Sequence, residues 1–245
     1  MKKLIAFAGF SLLAVGAFAQ TNLQVFYDFG DKRNYVTTTL EMFKADDWGS
    51  TFFFVDYDYA DKDARDAKRW GATGSYFEIA RALNFWQDSK LGALSAHVEF
   101  NAGVGFGTRN WLFGVEYFLH NADFSNTFTF EVMYKTFNET AKSDVPLQFT
   151  FVWGMQDLFG VEGLRFSGFA DFWGETTEYW YGKGQENPKD AGKWIFISEP
   201  QLWYNVGSLF NCPNFNVGGE VELGYNFAGF KGFTCNPCLG VKWDF

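Results

Sequence analysis

The chain has 245 residues, 47% of them hydrophobic and 22% aromatic, with 32 Phe, 11 Tyr and 10 Trp. Twenty Lys and Arg stand against 29 Asp and Glu, a net charge of −9, which argues against a nucleic-acid partner. After the N-terminal stretch no segment approaches the 18 continuous apolar residues of a helical membrane span.

Residues 1–19 read as a secretory signal peptide. Lys2 and Lys3 form the positive end, Leu4–Val15 the apolar run, and Ala17-Phe18-Ala19 a small-x-small cleavage site. No Cys follows the site, so a lipid anchor is not indicated. The remainder, residues 20–245, is expected to be a single transmembrane β-barrel domain. So many aromatic residues exceed what a soluble surface displays, but they suit an apolar band with two aromatic girdles.

Twelve segments alternate apolar and polar residues with the period of a strand. They are Asn22–Gly30, Asn34–Ala45, Ser50–Ala60, Ser75–Trp86, Ala93–Gly103, Asn110–Asn121, Asn126–Phe137, Pro146–Gln156, Leu164–Trp173, Trp194–Val206, Phe215–Phe227 and Phe233–Phe245. Most have the length that a tilted strand needs to cross a bilayer. An even number lets one chain close with both termini on the periplasmic side. The longest connectors, Asp61–Gly74 and Gly174–Lys193, then share the exterior side. Asp46–Gly49, Ala122–Ser125 and Asp157–Gly163 become short periplasmic turns.

Alternation also assigns faces. Leu23, Val25, Tyr27 and Phe29 form an outward apolar set, as do Trp111, Phe113, Val115, Tyr117 and Leu119. Inward positions are polar: Thr37, Thr39 and Glu41; Asp56 and Asp58; Ser95, His97, Glu99 and Asn101; Glu116 and His120; Glu131 and Lys135. A soluble barrel has the opposite polarity, because buried unpaired charges cost several kcal/mol. These carboxylates call for a wet lumen, hence a channel or an open cavity. The last segment ends on an aromatic residue, Phe245, as the closing strand of an outer-membrane barrel does.

Several stretches carry a family resemblance: Thr37–Tyr59 (TTTLEMFKADDWGSTFFFVDYDY), Tyr76–Trp86 (YFEIARALNFW), Ser167–Trp173 (SGFADFW), Ser198–Asn205 (SEPQLWYN) and Gly219–Gly232 (GEVELGYNFAGFKG). With the terminal segment they resemble an uncharacterised Bacteroidetes-type outer-membrane protein family. That family is related to the nucleoside-specific channel-forming (Tsx-like) porins, a more distant likeness best seen at Gln156–Gly174. The resemblance implies a monomeric 12-stranded barrel in the bacterial outer membrane, with a narrow lumen that binds nucleosides. It also implies partners: outer-membrane lipid, and the barrel assembly machinery, which reads the C-terminal strand; lipopolysaccharide is expected at the cations of the outer loop Asp61–Asp66.

Candidate lumen residues follow from the strand faces. Phe52 and Phe54 offer rings, and Asp56 and Asp58 offer acceptors, to a flat solute with hydroxyl or amine donors. Glu220 and Glu222 are expected across the lumen from them. Glu41, Glu78, Glu99, Arg165, Asp171 and Glu199 complete the inner wall. Arg81 falls on the lipid side by strict alternation, at a cost of about 2–4 kcal/mol near the midplane. A β-bulge that turns it into the lumen is therefore expected. Pro200 predicts a break in its strand, since it has no N–H to donate.

Other patterns are weak. Cys235 and Cys238 lie three apart, on opposite faces of a strand. Asp61–Asp66 lacks the Gly and terminal Glu of a calcium loop. Gly103–Gly107 is not followed by the helix of a phosphate loop, and Asn138-Glu139-Thr140 is a sequon only in another compartment. No catalytic residue, metal or cofactor is expected. Three functions remain open: passive uptake of small solutes, a barrel lipid hydrolase, or a surface or structural barrel. His97 lies near Ser95 and Glu99, but neighbours two apart on a strand do not form a triad.

Overall fold

The computed structural model describes residues 20–30, 33–104, 109–137, 142–177 and 192–245. The signal-peptide reading of residues 1–19 lies outside these, as do residues 105–108 of the glycine-rich stretch, the Asn138–Thr140 sequon and most of the Gly174–Lys193 loop.

The strands are β1 Gln20–Asp28, β2 Val36–Asp46, β3 Gly49–Tyr59, β4 Ala72–Leu83, β5 Leu94–Val104, β6 Arg109–His120 and β7 Asn126–Lys135. They continue with β8 Leu147–Met155, β9 Leu164–Thr177, β10 Gly192–Ser198, β11 Gln201–Asn205, β12 Phe215–Tyr225 and β13 Phe233–Asp244. Apart from β10 and β11, neighbours in sequence pair antiparallel, and β13 pairs with both β12 and β1, so the sheet closes. The closing ladder runs from Asn22 opposite Asp244 to Asp28 opposite Cys238. Closure suits a lipid-facing sheet, where an open edge has no water to satisfy its N–H and C=O groups.

β10 and β11 are two halves of one spanning strand, which makes the barrel twelve-stranded. Both halves pair with β9 and with β12. Their register is the same: Ser198 lies opposite Ala170 and Leu223, and Gln201 opposite Ser167 and Glu220. The gap falls at Glu199 and Pro200, as the missing N–H predicts. Gly168 faces this gap at φ +153°, and a Cβ there would clash with the Glu199 carbonyl oxygen.

Side-chain polarity is inverted relative to a soluble barrel. Leu23, Val25 and Tyr27 on β1 with Phe29 just past its end, and Trp111, Phe113, Val115, Tyr117 and Leu119 on β6, are all exposed on the outer surface. Gln24 and Asp28, at alternate positions of β1, are only 1% and 2% exposed. Along β13, Leu239, Val241 and Trp243 face out while Asn236, Cys238 and Lys242 are buried inside. Cys235 and Cys238 accordingly take opposite faces, and both are free thiols.

β3 and β9 run in the same direction, so the connectors that follow them leave from one end. Residues 20 and 245 and the short turns 47–48, 121–125 and 156–163 lie at the other end. The connector after β3 contains α1 Lys62–Asp66, the only α-helix among the described residues. Asp61 caps it by accepting from the Ala64 N–H at 2.6 Å, so this acidic stretch forms a helix start and not a cation loop.

Arg81 departs from expectation. The β3–β4 register is continuous from Gly49 opposite Leu83 to Asp58 opposite Gly74, and the bulge comes beyond that, at the far end of the ladder. It lies too far along the strand to change the facing of Arg81, which stays on the outer face. Its guanidinium is satisfied there by Asp46, at 2.7 and 2.8 Å, and by the Thr51 hydroxyl at 3.0 Å. Asp46 also accepts from the Trp48 N–H in the β2–β3 turn, which places the pair at the barrel rim. A partner at the rim, where the penalty for a lipid-facing charge falls to about 0–1 kcal/mol, removes the reason for an inward turn.

Candidate functional site

The inner wall is made by alternate residues of all the strands, and its chemistry changes from one end to the other. At the end that carries α1, Arg33, between β1 and β2, reaches the inner wall. It donates to both oxygens of Glu222, at 2.6 and 2.7 Å, and to Asp28 at 2.9 Å. Asn236 donates to the same Glu222 carboxylate at 2.8 Å, and the Gly30 N–H to Asp28 at 2.7 Å. Burial works against the charge on Arg33, but Glu222 and its neighbours more than offset it, so the guanidinium is held protonated.

Below the mouth, β3 and β4 present a run of rings. Phe52 and Phe54 are 5.9 Å apart between centroids, and Phe54 and Tyr76 are 5.7 Å apart. Asp56 and Asp58 continue the same face of β3, accepting from the hydroxyls of Thr39 at 2.5 Å and Thr37 at 2.8 Å. Each carboxylate retains acceptor capacity for a further donor. Glu199 and Glu220 come from the other side of the lumen to within electrostatic reach of Asp56. Gln201 donates to Glu220 at 2.6 Å and accepts from the Trp203 indole at 2.8 Å.

A second acidic group spans the opposite arc. Glu78 from β4, Glu99 from β5, Glu131 from β7 and Asp171 from β9 lie within reach of one another's charge. Thr150 donates to Asp171 at 2.6 Å, Tyr76 to Glu78 at 3.2 Å and Asn101 to Glu99 at 3.2 Å. Lys135 donates to Gln148 at 2.9 Å and rests 3.9 Å from the centroid of the Trp173 ring. At the end with the termini, Arg165 pairs with Asp244 at 3.0 Å, Asn22 donates to Glu41 at 2.9 Å, and Lys242 lies over Trp203.

Phe52, Phe54, Asp56, Asp58, Glu41, Glu78, Glu99, Arg165, Asp171, Glu199, Glu220 and Glu222 thus all lie on the inner wall, and Arg81 alone of the sequence candidates does not. Glu222 differs from the others because Arg33 and Asn236 occupy it. Sequence reasoning missed Arg33, since a loop has no period from which to infer a facing. It also missed the apolar part of the wall. Phe26 packs with Trp203 and Cys238, and Trp173 with Ile195 and Ile197, all buried inside the barrel. Strand parity places these residues inward; the assumption of a uniformly polar lumen hid them.

A family model described as "Domain of unknown function (DUF5020)" matches residues 19–245. No curated protein matches the sequence. Among solved structures, a NanC porin is similar with a TM-score of 0.55 and 10% identity, over 92% of this chain and 100% of that one. A KdgM porin matches over 92% and 99% of the two chains, with a TM-score of 0.48 and 10% identity. The outer membrane protein Omp33 of Acinetobacter baumannii matches over 94% and 100%, with a TM-score of 0.40 and 10% identity.

Proposed function

This chain belongs to the DUF5020 family, whose description specifies no activity, and from the geometry of the lumen we propose that it is an outer-membrane channel for passive uptake of small solutes. An apolar outer surface around a charged interior requires lipid outside and water inside. The similarity in fold to a NanC porin fits that placement. The chain reaches the membrane as an exported protein cleaved after Ala19, as a monomer, with its C-terminal strand read by the assembly machinery.

The solutes are neutral or cationic and carry a flat ring, with nucleosides as lead candidates. One observation carries this reading: the Phe52, Phe54 and Tyr76 rings adjoin Asp56 and Asp58, with Glu199 and Glu220 opposite. The rings stack on the flat part of a solute, worth about 1–3 kcal/mol per base on comparable platforms. The carboxylates accept from its hydroxyls and repel phosphates, which favours nucleosides over nucleotides. Both contacts are weak enough for release, as conduction requires.

Planar-bilayer recordings and liposome swelling test the proposal. Purified protein should conduct, with a reversal potential that favours cations. Asp56→Asn with Asp58→Asn should reduce that preference in a folded barrel. Phe52→Ala with Phe54→Ala should slow adenosine entry more than entry of a sugar of similar size. Absence of conductance would remove the channel; equal loss for both solutes would leave a general diffusion pore.

A further inference from the structure

The inner wall holds one histidine among three carboxylates, from strands that are not all neighbours. His97 and Glu99 belong to β5, Glu116 to β6 and Glu131 to β7. His97 Nδ1 lies 2.9 Å from Glu116 and 4.0 Å from Glu131, and His97 Nε2 lies 3.5 Å from Glu99. The His97 side chain is 5% exposed. Gly114 lies opposite His97 on β6.

The short contact to Glu116 makes Nδ1 the protonated nitrogen, because a carboxylate only accepts. In the neutral ring Nε2 then carries the lone pair. Nε2 is buried with no hydrogen-bond partner, and its nearest polar neighbour is another acceptor, the Glu99 carboxylate. Two acceptors facing each other out of water need a positive charge between them. A proton on Nε2 supplies one, but at a separation too long for a good hydrogen bond. A metal ion bonded to both fits that separation better.

We propose that His97, Glu99 and Glu131 form a binding site for a divalent transition-metal ion of the Zn2+ class on the lumen wall. One ligand atom from each lies within 4.8 Å of the other two, and Glu131, which approaches His97 from the Nδ1 side, must swing toward Nε2 to complete the set. Metal bonds of about 2.0–2.2 Å bring such atoms to about 3–4 Å from each other, a change that side-chain rotation accommodates. Imidazole with carboxylates suits zinc and its neighbours in the transition series, whereas Mg2+ prefers oxygen ligands alone. Glu116 is a positioning residue: its bond to Nδ1 orients the ring and raises its basicity, as carboxylates do behind metal-bound histidines. Sequence spacing gives no hint of the site, because the ligands come from separate strands, β5 and β7, and meet across β6.

The test uses the full barrel in detergent, stripped with a chelator, with Zn2+ alone as the probe in titration calorimetry. The wild type should bind about one Zn2+ per barrel, and excess Mg2+ should not displace it. His97→Gln and Glu131→Gln should each weaken binding by more than about a hundredfold, and Glu116→Gln by about ten- to a hundredfold. Heat-modifiable migration on gels establishes that each variant is folded; Glu99→Gln replaces any that is not. Wild-type protein that binds no Zn2+, as a protonated His97 held by its carboxylates would, overturns the proposal. So does a folded His97→Gln variant that binds as tightly as wild type. The readout needs no conduction, so either result leaves the channel proposal standing on its own tests.

Discussion

Two arginines illustrate how a residue's role depends on what comes within reach of it. Arg33 sits outside any strand, yet it neutralises two lumen carboxylates, Asp28 and Glu222, at the mouth. Arg33→Gln should leave both unpaired, make the entrance more negative and raise the cation-to-anion permeability ratio severalfold. It should also lose charge-assisted hydrogen bonds worth about 1.5–3 kcal/mol. Reversal potentials across a salt gradient check the first effect; a shift toward anions would mean that Arg33 does not control the mouth. Arg81 is the opposite case: it belongs to a strand and its facing was legible, but its partner was not. Asp46 is close in space because β2 and β4 flank β3, not because of any sequence pattern. Asp46→Ala is expected to cost less than about 1 kcal/mol in urea unfolding, since the pair sits at the rim and is partly solvated. A loss of several kcal/mol would place the guanidinium deep in hydrocarbon.

The spanning elements are largely legible in the sequence, because alternation extends over nine or more residues and one face must be apolar. Departures have local causes. Ser75–Trp86 was expected as one strand, but β4 ends at Leu83, where Asn84 takes over: its side chain accepts from the Trp86 N–H at 2.9 Å and starts a turn. β9 continues past Trp173 to Thr177, bridged at Thr176 by Lys142, a pairing beyond the apolar band that hydrophobicity does not mark. The break at Pro200 was legible from its missing N–H; the accommodation opposite it was not, since Gly168 looks like any strand glycine. Gly168→Ala should push a methyl group against the Glu199 carbonyl and destabilise the barrel by about 1–3 kcal/mol. Denaturant titration followed by tryptophan fluorescence measures it. A neutral result would show that the gap is loose enough to absorb a side chain.

For the molecule as a whole, strand number and inverted polarity were legible because lipid and water impose them everywhere at once. What stayed hidden was how the inner wall is shared out. Parity says which residues point inward; only the closed circle says which of them meet. Thus Asp56 comes within reach of Glu199 and Glu220 across the lumen, a meeting that no sequence spacing marks. Closure itself has a direct test. Val25 and Val241 are partners in the closing ladder, both on the outer face. Val25→Cys with Val241→Cys, after replacement of Cys212, Cys235 and Cys238 by Ser, should form a disulfide on mild oxidation. The bridged protein should resist heat unfolding on gels until it is reduced. Failure to cross-link would put the seam elsewhere.

The seam also has a temporal meaning. Asn22 waits for Asp244, a partner at the far end of the described chain, while the other neighbouring strands are close along the sequence. Contacts between residues so remote in sequence form slowly, because the loop entropy is lost before the contact is gained. Until they form, β1 and β13 each keep a bare edge ready to pair with another chain. Once they form, neither edge can fray alone without leaving N–H and C=O groups unpaired in lipid. Assembly should therefore be slow and disassembly slower still, so that unfolding and refolding transitions trace different paths and the barrel's persistence is governed by a rate.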